Sequence, residues 1–188
     1  MTNKPSALLR AMLLGIITFS LMGLAITLVC ASVFINPEGE DTDSSLEAVM
    51  AASSVLPSVL YMCYIYGSAW RFGAKDINLV KYGHITPRPL AGLRCGLWVS
   101  LVSAAFILAA LVFPVSRAYE LTHFIYYWFF ALTGRRVYLY FLVLPAVPLC
   151  AHWGYCFGYK YISIRQKLMY VDPHAQSERK RAKDKRIR

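Results

Sequence analysis

Residues 11–37 read AMLLGIITFSLMGLAITLVCASVFINP, a run without Asp, Glu, Lys or Arg that Arg10 and Glu38 close off. Three further runs of this kind follow, at 48–70, 95–116 and 137–159, each 22 or 23 residues long. An α-helix rises about 1.5 Å per residue, so about 20 residues cross a hydrocarbon core of about 30 Å. Lipid offers no partner to a free backbone amide, so each run is expected to be a helix. The spacing predicts spans over about 11–35, 48–70, 95–115 and 137–159.

Composition agrees. Of 188 residues, 57% are hydrophobic and only 16% are charged, whereas a soluble domain is nearer a quarter charged. Five cysteines, odd in number and scattered, do not make a secreted disulfide framework. The aromatic and aliphatic content excludes general disorder. The fold class expected is an all-α membrane protein, a four-helix transmembrane bundle over 1–170 with a basic, disordered tail at 171–188.

A fifth uncharged run, 121–134, has 14 residues and includes His123, Phe124, Tyr126, Tyr127, Trp128, Phe129 and Phe130. It is too short to span. Tyr and Trp favour the headgroup layer, so a short interfacial helix is expected at the outer surface. Lys4, Arg10 and the Val29-Cys30-Ala31 site resemble a signal peptide. The apolar run before that site is longer than the usual 7–15 residues, which favours an uncleaved first span.

Charge sets the orientation. With four spans, seventeen of the 20 basic residues fall on the side of both termini and the second loop, and three on the other. Basic residues stay cytoplasmic, which predicts both termini inside. The tail carries Arg179, Lys180 and Arg181, expected to touch anionic inner-leaflet lipid. No base-stacking aromatics accompany these charges, which speaks against nucleic acid.

The four runs hold no acid or base, so the ionisable residue of an ion-coupled carrier is missing from them. His152 and Cys156 share a helix face, but a metal site needs more ligands, and only Cys63 and Cys30 are candidates. No metal, cofactor or catalytic residue is assigned. Gly92-x3-Gly96, Gly154-x3-Gly158 and Ala105-x3-Ala109 fit close helix packing, within the bundle or in a homo-oligomer. Pro57, Pro145 and Pro148 remove backbone donors and are expected to bend spans two and four, which either opens a cavity or lipid cleft or is simply a bend.

The second loop, 71–96, is the expected contact for a partner or lipid, through Trp70, Lys75, Asp76, Asn78, Lys81 and Arg88. Asp76, the single acid among five bases there, is expected to pair with Lys75, Lys81 or a neighbouring loop. Lys81-x6-Arg88-Pro89 and Ser116-Arg117-x5-His123 match parts of a lipid-phosphatase signature. The middle signature is missing, Tyr127 stands in place of the orienting acid, and a span separates the two fragments.

Gly67, Trp70, Gly73, Asp76, Asn78, Val80, Gly83, Gly92 and Gly96, with Gly158-Tyr159-Lys160, resemble a loose family of small four-span membrane proteins of Gram-positive bacteria. The resemblance covers about two-thirds of the chain. It implies a bacterial cell-membrane location and carries no activity. The function expected is a non-enzymatic accessory or structural subunit. The alternatives are a small oligomeric transport or lipid-handling protein and, remotely, a lipid phosphatase. A fluorescent protein fused after Arg188 should fluoresce, and alkaline phosphatase fused there should be inactive; the opposite pattern reverses the orientation.

Overall fold

The computed structural model describes residues 4–34, 42–112 and 120–160. Helix α1 spans Pro5–Phe34, α2 Thr42–Lys81 and α3 Ala91–Val112. A 3₁₀ turn at Phe124–Tyr126 leads into the short α4, Tyr127–Leu132. A 3₁₀ stretch, Val137–Val143, precedes α5, Ala146–Tyr159. Four helical segments are long and apolar enough to cross a membrane, the fourth being Tyr138–Tyr159. The tail residues Arg179, Lys180 and Arg181 lie outside the described residues.

Contacts fix an up-down-up-down arrangement. The Tyr61 hydroxyl donates to the Met12 carbonyl and Thr27 meets Ser53, so α1 and α2 are antiparallel. Cys95 Sγ reaches the Pro5 carbonyl at 3.7 Å, placing the start of α3 beside the start of α1. That end also carries Lys81, Arg88, Arg94 and Lys160, and is hereafter the basic end.

Helices α2 and α5 run parallel at one constant register. Cys150 meets the Met62 carbonyl, Gly154 the Tyr66 carbonyl and Gly158 the Trp70 carbonyl. A Cβ on Gly154 would stand 2.5 Å from the Tyr66 oxygen, closer than real carbon atoms approach. Gly92 and Gly96 repeat this on the other side of α5, against Ala151 and Pro148. All four glycines therefore admit a neighbouring backbone inside one bundle, as small residues do where helices associate without a hydrophobic driving force.

Several expectations need correction. The second loop is mostly helix: α2 continues to Lys81 and α3 begins at Ala91, so only 82–90 connect them. An aqueous loop would have no reason to stay helical, but Phe72 and Asp76 are buried against the bundle and hold these turns in place. Span four is not one helix. Pro145 precedes α5 and Pro148 sits in its first turn, where an amide has no intrahelical acceptor. The chain therefore changes from 3₁₀ to α at this point, and the Ser100 hydroxyl donates 2.7 Å to the Leu144 carbonyl at the break. Along residues 150–158 the backbones of spans two and four touch.

The aromatic segment is helical but does not lie apart from the bundle. Phe124, Ile125, Tyr126, Tyr127 and Phe130 are buried. Phe124 packs onto Gly23 of α1 beside Pro57 of α2, midway along both spans. An amide in the first turn of a helix lacks an internal partner. Here the Trp128 N–H donates to Ser54 Oγ at 2.8 Å, and its indole N–H to Ser58 Oγ at 3.2 Å.

Replacing Gly154 or Gly158 by Val must push α2 and α5 apart. The expected cost is about 2–3 kcal/mol or more, the overpacking range. Thermal unfolding in detergent should show a large drop for both variants, against little change for Gly67→Ala, where a Cβ meets open space.

Candidate functional site

Among the described residues two carboxyl groups are buried in this bundle, at opposite ends. Near the basic end Asp76, 1% exposed, accepts a hydrogen bond of 2.9 Å from the Tyr155 hydroxyl of α5. The acid faces inward across the α2–α5 contact, while Lys75 and Lys81 are exposed. Of the other expected loop contacts, Asn78 and Arg88 are exposed and Trp70 is half-buried.

The second acid builds a site. Glu120 is 5% exposed and accepts 2.7 Å from the Tyr140 hydroxyl. Tyr140 lies in the 3₁₀ stretch of the broken span, its ring 4.0 Å between centroids from Phe130. Glu120 lines a cavity of about 460 Å³ at the end opposite the basic one, with Glu47, Met50, Tyr127 and Arg135 around it. Arg135 forms a salt bridge of 3.2 Å with Glu47 and donates to the Tyr127 hydroxyl. Burial pushes the Tyr127 phenol up from its ordinary pKa, and the neighbouring guanidinium partly offsets this.

The chain is bent to place that guanidinium. After α4, Gly134 and Arg135 both adopt positive φ, 61° and 55°. Glycine tolerates this; arginine pays about 1–2 kcal/mol for it. The turn brings the Arg135 head back over Tyr127, 5.7 Å from its ring centroid. Strained backbone that carries a charged group into a pocket is a marker of a binding site.

The cavity's charges do not cancel. Arg135 forms its salt bridge with Glu47 and also lies within the field of Glu120. Glu120 has only a neutral phenol as hydrogen-bond donor and forms no salt bridge among the described residues. Two acids thus face one guanidinium across the cavity, which leaves its wall with a net negative charge. The arrangement suits a cationic group arriving from the mouth.

A third polar element adjoins it. His123, 4% exposed, contacts Ser103 at 3.1 Å through Nε2 and Thr122 at 3.0 Å through Nδ1, with the Phe106 ring alongside. Ser103 lies twelve residues into α3, about 18 Å along the helix from Ala91. His123 is therefore remote from Lys81 and Arg88, and these cannot share one phosphoryl group. His152 and Cys156 are neighbours at 3.6 Å on α5. Among the described residues no three metal-ligating side chains converge.

Sequence reading missed Glu120, Tyr140 and Arg135. The signal available was Glu120 next to a short aromatic run: an acid that the run drags into the bundle when it folds inward. No family model, curated protein or solved structure matches the chain.

Tyr140→Phe removes the donor and leaves a buried carboxyl group unsatisfied. The expected loss is about 1–3 kcal/mol in detergent unfolding. Glu47→Gln should cost less than about 1 kcal/mol, because its pair with Arg135 is 40–45% exposed and screened. Equal effects of the two changes would contradict this ranking.

Proposed function

We propose that this chain is a small non-enzymatic membrane protein that handles a cationic solute, with the Glu120 cavity as its binding site. The observation that supports this most is a buried carboxyl group on the wall of an open cavity, bonded to a discontinuous span and without a salt-bridge partner among the described residues. Ionisable groups drawn into a membrane bundle mark solute or proton paths more often than they serve stability. Broken spans and inward-turning segments recur where transport proteins hold their substrates. Charge distribution supports a cytoplasmic basic end and an outward-facing cavity. The location that accompanies this reading is a cell membrane of bacterial type.

The roles follow from position. Glu120 binds the cationic group, and Tyr140 holds the carboxyl in place. Arg135 and Glu47 form the rim, with Arg135 rejecting a second cation or meeting an anion on the same solute. Tyr127 orients Arg135. An accessory-subunit reading has one specific support: Ala105 and Ala109 are exposed on α3, so this small-residue pair remains on the outside of the bundle for another helix.

The test is thermal unfolding of the purified protein with small alkylammonium, choline and guanidinium compounds, and with carboxylates of the same size. A cationic compound at a hundredfold over its Kd should raise the melting temperature by about 5–10 °C. Glu120→Gln should abolish the shift. If no compound acts and a stoichiometric membrane protein co-purifies in mild detergent, the accessory-subunit reading replaces this one.

A further inference from the structure

The basic end contains a second cavity, unrelated to the first. It has a volume of about 680 Å³ and lies between the first turns of α1, the 82–90 connection and the start of α3. Its size falls within the range of small-molecule sites. Arg88 and Arg94 line it, and no Asp or Glu does. Neither arginine forms a salt bridge among the described residues. Both are exposed.

The apolar part of the wall is as informative. Trp98 follows Arg94 by four residues, so the two share a face of α3. Trp98 is 60% exposed, and Leu97 and Leu101 continue the exposed apolar surface along the helix. Leu9 of α1 supplies the opposite wall. Two exposed cations thus stand at the head of an apolar track that runs along α3. A tryptophan lies at the junction, the level at which such rings settle between headgroup and chain. Pro87 and Pro89 stiffen the connection that carries Arg88, and the Cys95–Pro5 contact closes the back of the cavity.

We infer that this groove is a binding site for one anionic phospholipid of the leaflet at the basic end, its phosphate between Arg88 and Arg94 and an acyl chain along α3 over Trp98. The charge calls for an anion and the apolar track calls for a chain, and a phospholipid supplies both in one molecule. Basic pockets between helices on the cytoplasmic side hold lipid headgroups by the same chemistry.

The full-length protein is tested by native mass spectrometry, after transfer from mixed vesicles of phosphatidylglycerol and phosphatidylcholine. One phosphatidylglycerol per chain should be retained in preference to phosphatidylcholine. Arg88→Gln with Arg94→Gln should weaken retention about thirtyfold, since both cationic partners of the phosphate are removed. Arg71→Gln, an exposed base outside the groove, should leave it unchanged. Gel filtration identifies any variant that has lost its fold, and the single changes then decide, each expected to weaken retention about fivefold. Equal retention of both lipids, or no response to either arginine, overturns the inference. Displacement of the lipid by millimolar inorganic phosphate also overturns it, since the site would then be one for a free anion.

Discussion

A backbone or side-chain polar group within this bundle has almost no water to turn to, so the protein itself must satisfy it. That demand organises the irregular half of the molecule. Ser54 and Ser58 receive the two Trp128 donors, which seats the aromatic segment against α2. Ser100 caps the break in span four. Tyr140 holds Glu120 and Tyr155 holds Asp76. Most of these are short side chains on regular helices, supplying irregular backbone elsewhere, and two phenols do the same for the buried acids. The regular spans come first in this logic, and the site is assembled on hydroxyl groups.

The two halves of the bundle obey different rules. Around α5 the glycines bring backbones into contact. Around the start of span four, bulky rings fill the interior instead: Phe124 stacks on Tyr127, and Phe130 packs against Tyr140 at a tilt. Rings tolerate irregular backbone because they fill volume without needing a neighbour at fixed register. The rigid contact lies toward the basic end, and the cavity with Glu120 lies where the packing is aromatic.

Four spans and their helical character were legible because charge-free runs of 22 to 27 residues have one structural solution in lipid. The boundaries were less legible. Arg71 to Lys81 read as a loop because its charges are conspicuous, while the periodic Phe72 and Asp76 that face inward are few. The aromatic segment was expected at the outer interface from its length and its Tyr and Trp content, and its docking against the bundle was not foreseen. Its real position depends on Gly23, Ser54 and Ser58, more than sixty residues away, and no local pattern encodes that. Glu120 escaped notice for the same reason, since its burial is a property of the segment's docking. Pro145 and Pro148 announced an irregularity in span four but not its form: two prolines three residues apart start a helix as readily as they bend one.

The broken fourth span has a consequence for how the protein is made. Helix α5 has 14 residues and rises about 21 Å, well short of a bilayer. The seven residues of 3₁₀ structure before it make up the remaining length. Their hydrogen bonds are poorer, and the carbonyl at the junction is satisfied by a hydroxyl on α3. The last span therefore reaches crossing length only with its irregular half included. As the chain leaves the ribosome, the first three helices can partition into lipid by their own length and hydropathy. The fourth carries a junction whose carbonyl is bonded by Ser100 of α3, so its break and its packing against α3 form together.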